Sequence, residues 1–234
     1  YFKKEQEKPL FEQMMARIDR TYDPNACAVT QWRGENGYHS TIVNQYVHST
    51  RESLGYAYQL LNRDHPGDRE RAMDILDCIV PLQDTDPASR TYGIWSYYTE
   101  EPLSQMAPPD WNWADFCGKE IMHILLDHPD KLPPEMTAML RRSLHHACNS
   151  IRIRDMGPGY TNISVMGTYV TLVGGGLLGD DSLVQYAKRR LRTLHKFNIE
   201  KGSFNEYNSP TYTLVLAGDL SNACKYAKDP QDLA

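Results

Sequence analysis

The chain has 234 residues, 41% of them hydrophobic and 24% charged, with a formal net charge of −5. That is chain enough for one sizeable core or two small ones, in the composition of an ordinary globular protein. The acidic balance argues against a nucleic-acid scaffold, which must neutralise phosphates, and no run reaches the ~18 apolar residues of a membrane span. An acidic sugar stays open as a ligand, because the charge inside a groove decides, not the net value.

In chain order, residues 2–19 predict a helix, with Leu10, Phe11, Met14, Met15 and Ile18 at spacings of three and four. A turn follows at Tyr22-Asp23-Pro24-Asn25, and residues 31–38 read as a loop. The spacing then predicts helices over 43–62, 68–83, 111–128, 133–153, 161–178, 181–199 and 211–227. His48 and Arg51 share a face of the first of these. A long loop from 83 to 110 carries Tyr92-Gly93-Ile94-Trp95. Members of each pair alternate in character. One is amphipathic and charged, as at 181–199 with Lys188, Arg189, Arg190, Arg192 and Lys196. The other is apolar or small-residue-rich and follows a loop of Trp, Tyr, Asn, Asp or Glu. No strand-like alternation stands out.

The expected fold class is therefore all-α: hairpins curling into an (α/α) toroid, one domain over residues 1–234 with 1–42 as lead-in. The unpaired last helix predicts an incomplete ring, or the N-terminal portion of a larger protein. The opening Tyr1 leaves the location unread: extracellular or periplasmic for a processed N-terminus, cytoplasmic otherwise.

Three junctions between a loop and an apolar helix carry chemistry. In the first, Asp110-Trp111-Asn112-Trp113-Ala114-Asp115, Asp110 is the expected N-cap. Asn112 and Asp115 share a face and Trp111 neighbours Asp115, setting a stacking platform beside an amide and a carboxylate. In the second, Gly157-Pro158-Gly159-Tyr160-Thr161-Asn162, Asn162 sits among apolar neighbours as a polar group in need of partners. In the third, Asn205-Glu206-Tyr207-Asn208-Ser209-Pro210-Thr211-Tyr212, Ser209 caps a helix whose first residue is Pro210; Glu206 and Tyr207 stand on the loop before it. Fifteen tyrosines against five phenylalanines suit half-wet surfaces where an apolar face and a polar tip are both used.

Metal and nucleophile chemistry find little support. Glu120 and His123 form a single ExxH pair, where a di-metal bundle needs two. HExxH, GxSxG, P-loop and GxGxxG are absent. Gly174-Gly175-Gly176 reads as close helix packing. Cys27, Cys78, Cys117, Cys148 and Cys224 lack zinc spacing and read as buried free thiols. No metal and no cofactor is expected.

Taken together, His48-Ser49-Thr50-Arg51, Asp84-Thr85-Asp86-Pro87, Tyr92-Gly93-Ile94-Trp95, Asp110 to Asp115, Gly159 to Asn162 and Glu206 to Tyr212 resemble a group of largely uncharacterised microbial α/α-toroid carbohydrate-active proteins. That group neighbours the heparinase II/III-like and alginate-lyase-like enzymes. The resemblance implies an oligo- or polysaccharide substrate and no cofactor. It also implies the roles of the toroid lyases: an asparagine neutralises the uronate carboxylate, a tyrosine or histidine removes the C5 proton, and a tyrosine protonates the leaving oxygen. By residue type Asn162 would be the neutraliser, Tyr207 the proton shuttle and His48 a base. Trp111, Asn112, Trp113, Tyr160, Arg51, Trp95 and Tyr212 would line the sugar. Those lyases often carry an Asn-His pair, whereas Ile163 follows Asn162 here. The alternatives are a glycoside hydrolase using Asp115 and Glu206 as its carboxylate pair, and a non-catalytic carbohydrate-binding helical scaffold.

Overall fold

A computed structural model describes residues 4–35 and 37–226; residues 1–3, where the first expected helix begins, Asn36 and the chain from residue 227 on lie outside the described residues. The protein is mostly helical. The helices are α1 Lys4–Asp19, α2 Thr50–Arg63, α3 Asp68–Ile79, α4 Trp113–Asp127, α5 Pro134–Arg154, α6 Thr161–Leu178, α7 Asp181–Lys201 and α8 Pro210–Tyr226.

The sequence places seven of these helices within a few residues, and their ends obey local chemistry. Asp180 caps α7 by accepting from Ser182 N and Leu183 N. Ser209 caps α8 as expected, its Oγ accepting from Tyr212 N. Glycines in the left-handed region end α6 and α7, at Gly179 and Gly202.

The stretch before α2 departs from expectation. Residues 43–49 do not continue a helix; Gln45–Ser49 is strand β3. It pairs antiparallel with β2, Ala28–Arg33, which pairs with the short β1, Tyr22–Asp23. The loop read over 31–38 thus begins as strand. The reason is the pleat: Val47 and Ser49 point into the core while Tyr46 and His48 point outward. Ser49 then caps α2 through Glu52 N. The alternation is easily missed because its outward residues and much of β2 are polar.

Packing sorts the helices into two rows. α2, α4, α6 and α8 are consecutive neighbours, and α3, α5 and α7 each return beside the helix before them. The first row runs parallel. Thr50 and Tyr58 of α2 meet Trp113 and Asp127 of α4 in that order. Likewise Asn112 and His123 meet Tyr160 and Tyr169 at and along α6. One large core, including Leu54, Leu60, Ile75, Ile121, Leu144 and Tyr169, spans both rows.

Small residues set the closest approach. A Cβ on Gly175 would stand 3.0 Å from Leu183 Cβ and 3.1 Å from Val184 N of α7, as the packing reading of the glycine run expects. Of the five thiols Cys117 and Cys148 are buried, but Cys78 and Cys224 are exposed and Cys27 is half-buried. No described helix is long and apolar enough to cross a membrane.

Candidate functional site

Because α2, α4, α6 and α8 run parallel, their N-terminal ends share one rim, and the three junctions of the sequence meet there. Asp110 sits in the turn before α4. Its carboxylate accepts from Asn112 N at 3.0 Å and from the Tyr97 hydroxyl at 2.6 Å. Tyr97 stacks on Trp113 with ring centroids 3.9 Å apart, and the Trp113 indole N–H donates to Thr50 Oγ1 at 3.1 Å. Burial pushes the Tyr97 hydroxyl far above its usual range, and the Asp110 carboxylate pushes the same way, so Tyr97 stays a donor.

Asn112 bridges two segments. Its Oδ1 accepts from Arg154 Nη1 at 2.5 Å and its Nδ2 donates to the Tyr160 hydroxyl at 3.4 Å. One residue into α6, Asn162 is buried. Its backbone N–H donates to Glu206 at 2.6 Å, and its Nδ2 donates to both carboxylate oxygens at 2.9 Å. The first N–H groups of a helix lack partners within it, and a carboxylate there also meets the positive end of the helix dipole. Asn205 adds a bond to Gly159 O at 3.3 Å. The pieces 110–113, 154–162 and 205–206 are thus one hydrogen-bonded unit.

The expected site residues divide. Asn112, Trp113, Tyr160, Asn162 and Glu206 belong to this unit. Tyr207 follows Glu206 and is 63% exposed, and Tyr212 is exposed on the first turn of α8. Arg51 lays its guanidinium 3.9 Å above the Phe116 ring. Trp111 donates its indole N–H to Arg90 O at 2.8 Å.

Three expectations need correction. Trp95 is fully buried and donates to Ile79 O at 3.2 Å, so it packs the core and cannot meet a sugar. His48 shares no helix face with Arg51. On the outer face of the sheet, its Nδ1 lies 2.5 Å from Glu100 and its Nε2 lies 3.3 Å from Asp23. Asp115 is enclosed where α4 meets α6, so closely that a Cβ on Gly167 would stand 2.6 Å from its Oδ1. Burial lifts its carboxyl to about 7 against the pull of Arg154 and Arg190.

A second polar group was not singled out as a site by the sequence. In the space between α2, α4 and α8, Lys119 donates to buried Asp219 at 2.9 Å, while Asp219 Oδ2 has no hydrogen-bond partner among the described residues. Glu120 lies near both Lys119 and Arg51, and burial raises both carboxyls. Further along, Asp127 accepts from the hydroxyls of Tyr58 and Tyr226. His123 Nε2 and the Tyr169 hydroxyl lie 2.8 Å apart. The signals in the sequence were the Glu120/His123 pair, set aside as a metal motif, and charge on an otherwise apolar helix. Among the described residues no three His, Cys, Asp or Glu side chains converge to hold a metal.

A family model described as a domain of unknown function, DUF8769, matches residues 8–234. No curated protein and no solved structure matches the chain.

Proposed function

We propose that this chain, which belongs to the DUF8769 family, processes a carbohydrate polymer at the rim formed by the starts of α2, α4, α6 and α8, by β-elimination at a uronate residue. In this reading the parallel row is the inner wall, and the antiparallel helices the outer wall, of an (α/α) toroid arc. The observation that carries it is the seat at the start of α6. Asn162 N and Nδ2 already hold a carboxylate, that of Glu206, with contacts of 2.6–2.9 Å.

A uronate carboxylate that displaces Glu206 onto solvent takes the same donors. Their positive ends withdraw charge and acidify the C5–H bond. Tyr207, beside Glu206 and open to solvent, takes the C5 proton as its own hydroxyl proton passes to the displaced Glu206 carboxylate. The electron pair forms the C4–C5 double bond as the C4–O bond breaks, and a hydroxyl at the rim returns a proton to the leaving oxygen. Arg154, held on Asn112, supplies positive charge nearby. Hydrolysis through Asp115 and Glu206 is less well supported, since Asp115 is enclosed. A hydrolytic reading instead draws on Glu120 and Asp219, whose burial favours the protonated form.

The test is turnover of uronate polymers followed by the ultraviolet absorbance of the new double bond. Wild type should produce it, Tyr207→Phe should lose it by about 100-fold or more, and Asn162→Ala should lose it while raising KM. New reducing ends without absorbance, sensitive to Glu120→Gln, would favour hydrolysis. Loss of neither signal in Tyr207→Phe would reject the assignment of that residue.

A further inference from the structure

The outer face of the three-stranded sheet exposes two large aromatic side chains outside the rim. Trp32 and Tyr46 stand directly opposite each other across β2 and β3. They are 57% and 70% exposed, with ring centroids 5.1 Å apart and the planes nearly edge-on at 69°. Two large rings left in water on adjacent strands sacrifice apolar burial, and such patches mark contact surfaces.

What lies beside them narrows the partner. Two residues further along β3, on the same face and about 7 Å away by strand geometry, is His48, opposite Thr30. Its two ring nitrogens are held between Asp23 and Glu100, and both carboxylates remain about one-third exposed. The face therefore presents an aromatic row, then a row of acceptors and a fixed imidazole, at the spacing of a sugar ring. A pyranose offers the matching pair, C–H groups on its face for the rings and hydroxyl donors on its edge for the carboxylates.

We propose that this sheet face is a second glycan-holding surface, separate from the rim: a sugar unit packs on Trp32 and Tyr46 and donates hydroxyls to Asp23 and Glu100. It deepens the glycan reading of the rim and rests on it, though it requires no cleavage. His48, read from sequence as a base for the reaction, acts here in holding the chain.

The test uses the full chain in native gels cast with alginate, heparin or xylan, together with tryptophan fluorescence. At least one polymer should retard the wild type and shift its emission. Trp32→Ala and Tyr46→Ala should each weaken retardation about tenfold, the size of a lost aromatic anchor, with turnover of short oligosaccharides at the rim unchanged. Both side chains are solvent-facing, so the variants should keep the wild-type Tm. Retardation unchanged in the double variant, or absent for wild type with all three polymers, overturns the proposal. The rim reading is judged separately by the absorbance assay, so that either can fail while the other holds.

Discussion

Removing the Glu206 carboxylate tests the joint that ties α8 to α6. In Glu206→Ala, Asn162 loses the acceptor for its backbone N–H and for its Nδ2, three contacts of 2.6, 2.9 and 2.9 Å. Asn162 is buried, so each stranded donor costs on the order of 1–3 kcal/mol. Loss of a negative charge from the start of α6 adds about 0.3–1 kcal/mol. Glu206 itself is half-buried, which lets water reach part of the gap and holds the total near 2–4 kcal/mol. Glu206→Gln keeps one acceptor oxygen but loses the charge and places an N–H₂ group against the Asn162 amide, for about 1–2 kcal/mol. Urea unfolding should rank wild type above Gln and Gln above Ala. Hydrogen exchange should show the Asn162 amide released in the Ala variant, together with residues 202–209. An unchanged midpoint with the Asn162 amide still protected would refute the claim that this bond joins the two helices.

Three further outcomes follow from the packing. Gly167→Ala forces a methyl to within 2.6 Å of Asp115 Oδ1 and 3.0 Å of Ile151 Cγ2; overpacking should outweigh the better helix propensity and lower stability by about 1–2 kcal/mol in urea unfolding. Asp115 is raised from 3.8 to about 7 in the folded chain by burial. Its contribution is therefore full below about pH 4 and is lost as pH rises through 7. Asp115→Asn should gain on wild type by a few kcal/mol between pH 4 and pH 8, and an equal stability difference at both pH values would contradict the assignment. His123, lowered to about 4 by burial, pulls the other way, gaining stability as pH rises from 4 to 6.5, but cancels in that difference. Trp95→Ala should cost about 3–5 kcal/mol without selectively weakening glycan binding, checked by unfolding and native gels together.

Helix positions were legible because periodicity and end signals agreed, as at Ser209-Pro210. The pairing of rows was legible from the alternation of charged and small-residue helices. The three loop junctions were legible as polar, aromatic clusters in an otherwise regular pattern, and two of them proved to be bonded through Asn112 and Tyr160, the third through Asn162 and Glu206. What stayed hidden depended on direction. Trp95 reads like Trp111 in a loop, yet the chain folds it inward beneath α3, and nothing local says so. Asp115 was placed correctly on a helix face, but that face is the one pressed on Gly167, a fact that requires knowing which neighbour α4 meets. His48 was lost to the helix because five residues of strand carry too few apolar positions to announce themselves. Glu120 and Asp219 are separated by 99 residues and acquire meaning only once α4 and α8 lie together.

The most direct measurement is the mass of the fragments released when the full chain acts on a uronate oligosaccharide of defined length. Elimination adds no water, so one fragment of each cut should be lighter than its hydrated counterpart by one water molecule, and Tyr207→Phe should release none. Fragments that each carry the full complement of water, or an oligosaccharide left whole by a folded chain that binds it, would contradict the account.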